Sequence, residues 1–241
     1  MIIERIKRKI EPEMYILPQS TPVIYFGNYD KAKACTISLN PSDKEFVNDS
    51  SFLLDNENSE RLCSRKKLNK ADNDELTDDE AETVLRYCKD YFNKNPYTWW
   101  FNPFDKFINY YKGYSYYDDS CVHLDLVQWA TCEKWSKIPE NTRNKHIVSD
   151  LPVLKYLLNK NFEIMFLNGI TVVSNISEYL KIKFDRKKMT YRVNSMNKEL
   201  EIYHAIYNDI EVIGWNLNLQ RSFGGNDEKR IICNAIKNIL K

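Results

Sequence analysis

A run of apolar and β-branched residues, Cys35 to Leu39, is cut off by Asn40-Pro41-Ser42, and this junction limits what the chain can fold into more than any other stretch. Pro41 removes a backbone donor and drives Asn40 out of the helical region, so the strand must end there. The following Asp43-Lys44-Glu45-Phe46 reads as the entry to a helix. A strand that stops at a polar turn and feeds a helix is the building unit of a parallel α/β sheet. The carboxyl ends of such strands open onto the ligand crevice, and the helix N-termini offer N–H groups to anions. A plain turn with a helix N-cap would use the same residues.

The same unit recurs downstream. Cys121 to Val127, C-V-H-L-D-L-V, has the apolar character of a buried strand except at His123 and Asp125, which period-two alternation puts on one side. Two ionisable groups on a buried face need partners or a purpose, and a structural His–Asp pair would satisfy both. Phe162 to Leu167 reads as another buried strand, ended by Asn168-Gly169 and followed by a helix to about Leu180. Glu211 to Trp215 is a last strand running into N-L-N-L-Q-R-S-F-G-G at 216–225. Ile231, Ile232, Ala235, Ile236, Ile239 and Leu240 then form the inner stripe of a C-terminal helix.

Between these lie a capping box, Thr77-Asp78-Asp79-Glu80, predicting a helix over about 78–92, and Asn102-Pro103, predicting a helix start that Gly113 ends. Ser149 reads as the cap of a helix with Pro152 in its first turn, Val23 to Phe26 as an edge strand, and 183–209 as a hairpin excursion. Asn95 to Phe101 is aromatic enough to be mostly core. Residues 48–76 read as loop, and their basic cluster of Arg61, Arg65, Lys66, Lys67 and Lys70 as a solvated face or a phosphate track. The predicted fold class is α/β, three layers α/β/α with a central mostly parallel sheet, in one domain over 1–241.

With 241 residues and a formal charge of +1, nucleic acid can be held only through a local basic patch. The 16 Tyr, 11 Phe and 5 Trp supply either core or stacking surfaces. Six scattered cysteines without a C-x-x-C pair and three histidines argue against a zinc or iron–sulfur site, so neither metal nor cofactor is expected. No run has membrane-spanning length and the first residues do not read as a leader, which predicts a reduced, cytoplasmic protein.

Four strand ends thus carry polar signals: Asn40-Pro41-Ser42, His123 with Asp125, Asn168-Gly169, and Asn216 to Ser222. In order and spacing over about residues 20–240 they resemble the uracil-DNA glycosylase superfamily, as a divergent bacterial or phage-defence type of member. S-L-N-P-S at 38–42 is similar to the family's first motif, and H-L-D-L-V at 123–127 to its base-reading strand. M-F-L-N-G at 165–169 resembles its strand-then-glycine pattern. Two departures are plain. Ser38 stands where the family has glycine, and N-L-N-L-Q-R-S lacks the proline of the second catalytic motif.

The resemblance implies a monomeric, monofunctional enzyme that hydrolyses the N-glycosidic bond of a flipped-out base in DNA. Asn40 would position water. Asn216 or Asn218 would bond the departing base, with Asn216 preferred because it directly follows the strand. Asp125, with His123 and Asn168, would read the base edge; Phe46 or Phe52 would stack on it; and Ser42, Arg221 and Ser222 would contact the DNA. A carboxylate at 125 can only accept hydrogen bonds, which suits the exocyclic amine of a cytosine-type base and opposes uracil O4. The expected target is therefore a modified cytosine, such as the glucosylated hydroxymethylcytosine of phage DNA that some superfamily members attack. Alternatives are a uracil or mismatch glycosylase, a non-catalytic DNA-binding module on the same fold, and an enzyme of free nucleosides.

Overall fold

The structure, a computed structural model, describes residues 1–193 and 196–240, except for the side chains of Val193, Met196 and Ser222. In chain order the elements are α1 (Ile2–Ile6), β1 (Ala34–Ser38), α2 (Asp78–Lys89), α3 (Thr98–Lys112), β2 (Cys121–Asp125), α4 (Glu140–Leu157), β3 (Ile164–Asn168), α5 (Ile170–Leu180), β4 (Asp185–Val193), β5 (Met196–Tyr207), β6 (Ile210–Trp215), α6 (Leu219–Ser222) and α7 (Asn226–Leu240). The fold is α/β around a six-stranded mixed sheet of order β2-β1-β3-β6-β5-β4. β3 runs parallel to both β1 and β6, with Ala34 opposite Ile164 and Asn168 opposite Trp215. β5 and β4 continue antiparallel from β6.

The parallel strands β1 and β3 are buried at every position, which is why they read as unbroken apolar runs. Parallel pairing brings the carboxyl ends of β1, β3 and β6 to one sheet edge, where ligands bind in open α/β sheets. β4 and β5 form the expected hairpin.

The chain divides into two compact units, one made of Met1–Tyr29, Leu39–Tyr97 and Leu124–Lys160, the other of Asp30–Ser38, Thr98–His123 and Asn161–Lys241. In the first, α2 begins with the anticipated capping box: Thr77 Oγ1 accepts from Glu80 N (3.3 Å) and Glu80 Oε2 from Thr77 N (2.7 Å). A buried ion pair joins Arg5 to Asp150, whose Oδ2 also accepts from Gln128 N at 2.8 Å. In the second unit Trp215 is the centre of the core, its ring centroid 4.9 Å from Phe107 and 5.9 Å from both Phe104 and Phe223. Gly214 lets α5 lie close on β6: a Cβ there would meet Val173 Cγ2 at 2.7 Å.

Four sequence expectations need correction. Val23 to Phe26 is an extended segment rather than a strand, held by Val23 N donating to Gln128 O at 2.7 Å. α3 starts at Thr98, five residues before Pro103, and α4 at Glu140, twelve before Pro152. In both cases buried side chains on either side of the proline (Phe101 and Phe104; Asp150 and Val153) hold the helix through the lost backbone bond. Asp43–Glu45 is only a single 3₁₀ turn, so no long helix follows the Asn40 junction. Among the described residues no helix is long and apolar enough to cross a membrane.

Candidate functional site at the Asn40 turn

The first unit carries the Asn40 turn. Asn40 Nδ2 donates to Pro41 O (3.1 Å), Thr131 Oγ1 (3.2 Å) and, more weakly, Trp129 O (3.5 Å). Its amide nitrogen is therefore fixed, and among the described residues Oδ1 accepts no hydrogen bond. That leaves the carbonyl oxygen with its acceptor capacity unused by the described residues. Thr131 is held in turn by donating to Glu133 O at 2.8 Å. Ser42 caps the 3₁₀ turn, its Oγ accepting from Lys44 N at 3.2 Å.

Asn40, Ser42, Asp43 and Lys44 line an open cavity of about 540 Å³ together with Thr131, Glu133, Lys134, Trp135 and Lys137. Lys44 pairs with Asp43 and Asp49, whereas Lys134 and Lys137 pair with no acid among the described residues. The mouth thus holds two uncommitted ammonium groups beside a half-buried indole, a combination that suits a backbone phosphate and a base.

Behind the turn lies a buried polar group that the sequence did not reveal. Glu45, 2% exposed, accepts from Tyr91 Oη at 2.5 Å, and Tyr91 Oη accepts from Tyr97 N at 2.8 Å. Arg61 lies over the Tyr97 ring, 4.9 Å from its centroid, and donates to Lys44 O at 2.6 Å. Burial pushes the Glu45 carboxyl up to about 8; Tyr91 and Arg61 oppose the rise, and Asp125 and Asp43 add to it. Tyr91 is likewise held well above the usual phenol range by burial and by Glu45. Glu45 is therefore neutral at pH 7. Asp125, at the carboxyl end of β2, is itself only 3% exposed. A charged residue inside D-K-E-F reads locally as solvent-facing, and its partner Tyr91 lies 46 positions away.

The remaining site candidates of this unit diverge. Phe46 is buried in the core, while Phe52 is 71% exposed at the tip of a turn in which Asn48 Oδ1 accepts from Ser50 N and Phe52 N. Phe52 is the one of the two whose face is open to a base. The basic cluster is not one face: Arg65 is fully buried and donates to Ser20 O (3.2 Å), Asp74 O (2.7 Å) and the carbonyls of Ala71 and Arg8. It stitches the 64–74 loop to the N-terminal segment.

In the second unit the expected base readers are tied down. Asn168 Oδ1 accepts from Trp215 Nε1 (2.9 Å) and Leu219 N (3.0 Å), and its Nδ2 donates to Gln220 Oε1 (2.8 Å). Gln220 Nε2 continues to Trp100 O at 3.0 Å. The Asn168 amide therefore holds β6 and α6 in place. His123 Nδ1 shares a 2.7 Å hydrogen bond with Thr36 Oγ1, which is 2.7 Å from Tyr116 Oη, and the imidazole packs edge-on against Phe101.

Asn216 Oδ1 accepts from Glu201 N at 3.0 Å, extending the β5–β6 ladder by one bond. Asn218, the N-cap of α6, makes no side-chain capping bond, and its buried Oδ1 has no partner among the described residues. Arg221 is exposed on α6; the side chain of Ser222 lies outside the described residues. The aromatic stretch 95–101 is less buried than expected: Phe101 is core, but Trp99 is 55% exposed. Among the described residues no cluster of His, Cys, Asp and Glu has a metal-binding arrangement.

No family model, no curated protein and no solved structure matches the chain, so the side chains themselves carry the functional case.

Proposed function

We propose that this protein is a monofunctional DNA glycosylase with a three-layer α/β/α, uracil-DNA glycosylase-like fold. It hydrolyses the N-glycosidic bond of a flipped-out modified cytosine and leaves an abasic site. The observation that carries this is Asn40: an amide whose nitrogen is bound to Pro41, Thr131 and Trp129, with its oxygen uncommitted, in the lining of a cavity that carries three lysines and two acids.

An acceptor so held orients one water without becoming a strong base. As the glycosidic bond lengthens, its electron pair leaves with the base and cationic charge grows on the sugar. Water adds at that carbon and gives up a proton, and the released base gains one. The enzyme's contribution is orientation and electrostatic support, since the neutral amide removes no proton itself. Lys134 and Lys137 hold phosphates beside the cavity, and the exposed Phe52 stacks on a base. Asp125 accepts from the exocyclic amine of the target.

The test is abasic-site formation, read as alkali-induced strand breaks, in oligonucleotides and phage DNAs carrying uracil, hydroxymethylcytosine or glucosylated hydroxymethylcytosine. Cleavage of a cytosine-type substrate that Asn40→Ala reduces about 100-fold or more is expected. Preference for uracil would replace the target with uracil. A second reading is a DNA-binding module without chemistry, favoured by the structural commitment of the Asn168 oxygen and the partial commitment of Asn216. Tight binding with no abasic sites on any DNA would select it.

A further inference from the structure

We propose that a second cavity of the first unit, lined by Ile10, Ile16 and Tyr15, binds a small apolar amine, its hydrocarbon body on these side chains and its ammonium group beside Glu11, Glu13 and Asp72. The inference goes beyond the glycosylase reading, and loss of that reading would leave it standing.

The cavity is open, measures about 570 Å³ and is built by the 9–18 segment with Asp72, Asn73 and Cys132. That volume is ordinary for a small-molecule site. Its walls are tied in place. Ile10 N donates to Asp72 O at 2.8 Å, and Asp72 Oδ1 accepts from Gln19 N at 2.7 Å and Gln19 Nε2 at 3.0 Å. Ile16 bridges antiparallel to Thr131, while Leu17 N donates to Ala130 O at 2.9 Å and Cys132 N to Tyr15 O at 3.0 Å. Between these ties a single 3₁₀ turn, Pro12–Met14, ends at Tyr15 in the left-handed region with φ of 56°. Backbone bonds thus shape the cavity before any ligand arrives, which spares an ordering cost on binding.

The lining is of two kinds. Ile10 and Ile16 are buried and Pro12, Tyr15 and Pro18 exposed, so an apolar body that covers them removes hydrocarbon from water. The charged part is three carboxylates, Glu11, Glu13 and Asp72, against one ammonium, Lys9. Among the described residues the side chains of Glu11 and Glu13 make no hydrogen bond or ion pair, and Lys9 pairs with none of the three acids. The Asn40 cavity, with three lysines and two acids, has the opposite excess. A phosphate or carboxylate is therefore disfavoured here and a cation drawn in, and an aromatic ring such as that of Tyr15 attracts an ammonium over its face.

Three probes that share one phenylethyl body test this: phenethylamine, 3-phenylpropionate and the neutral 2-phenylethanol. In methyl NMR of isoleucine-labelled protein, phenethylamine is expected to shift the assigned Ile10 and Ile16 signals. It should bind about threefold to tenfold tighter than the alcohol, two exposed charge contacts supplying about a factor of two to three each. The carboxylate should bind more weakly than the alcohol, and added salt should narrow both gaps. Glu11→Gln combined with Glu13→Gln breaks no bond within the protein and is expected to close most of the gap between amine and alcohol.

Cys132 gives a second readout. It is the one exposed cysteine of the six, so a single alkylation by iodoacetamide reports on it, and phenethylamine is expected to slow that reaction. Cys132 lines the Asn40 cavity as well, whereas Ile10 and Ile16 do not. Slowed alkylation without the isoleucine shifts would therefore place the amine in the other cavity and overturn the proposal. Equal binding of the three probes, an undiminished amine preference in the double variant, or no shift of Ile10 and Ile16 with any probe would overturn it too.

Discussion

Asn40 and Asn168 both follow apolar strands, and both stand where a sequence reader expects an amide facing a ligand. The structure uses them in opposite ways. Asn168 accepts twice and donates to Gln220, so its oxygen and one of its two N–H donors are used in keeping Trp215 and α6 in register. Asn40 is bound only through its nitrogen and keeps its oxygen. A polar residue at a strand end is thus a structural tie or a chemical group according to which half of its amide the neighbours occupy.

The contrast can be broken most forcefully at the supports beneath each asparagine. The segment that receives the Asn40 amide, Trp129 to Thr131, follows Gln128, whose N–H is accepted by Asp150 inside the buried pair with Arg5. Asp150→Ala leaves that guanidinium buried without its carboxylate and is expected to cost about 3–5 kcal/mol of stability. Next in size is Asn168→Ala, which strands the indole N–H of Trp215 and the backbone N–H of Leu219, at about 2–4 kcal/mol. Asn40→Ala removes only donated bonds and should cost about 1 kcal/mol or less, while lowering the proposed base release about 100-fold or more. Urea unfolding midpoints of the three variants at constant slope decide this. Equal losses for Asn40→Ala and Asn168→Ala would erase the distinction between tie and chemical group.

Much of the frame was legible because local physics and tertiary packing agreed. The capping box at Thr77 and Glu80 starts α2 where its residues say it should, and the unbroken apolar runs at 34–38 and 164–168 are the buried parallel strands. The prolines misled because their local rule was overridden. Pro103 and Pro152 sit inside helices whose buried faces extend past them on both sides. The polar strand ends were legible in position, but their hydrogen-bond wiring was not. Nothing in H-L-D-L-V says that His123 turns to Thr36, and nothing in D-K-E-F says that Glu45 is buried against Tyr91.

That buried carboxyl gives a pH-dependent effect on stability opposite in sign from the usual acid. An unfolded Glu ionises near its ordinary value of 4.5, whereas burial in the folded protein raises Glu45 to about 8. Between these values the folded state binds more protons than the unfolded one, so this group's contribution to stability falls as pH rises from about 4.5 to about 8 and is level beyond. Glu45→Gln removes the titration. The difference in unfolding midpoint between variant and wild type should therefore shift in favour of the variant from pH 5 to pH 9. A difference constant with pH would mean that Glu45 is already ionised in the folded protein.

The smallest effect concerns the cavity mouth and sharpens the comparison from the DNA side. Lys134 and Lys137 are exposed and have no acidic partner among the described residues, so replacing both with alanine leaves no charge stranded and should leave stability nearly unchanged. If they lie along the DNA backbone, each neutralises a phosphate and releases its counterion on binding. The slope of log affinity against log salt should then become shallower by about 1.4 to 1.8 in the double variant, the range from single to double strands. The loss should be the same for every sequence and base, because phosphates carry no sequence information. Asn168→Ala, measured on whatever fraction stays folded, should leave that slope unchanged. An unaltered slope in the lysine variant would take the DNA path away from this cavity and leave the oxygen of Asn40 facing a smaller substrate.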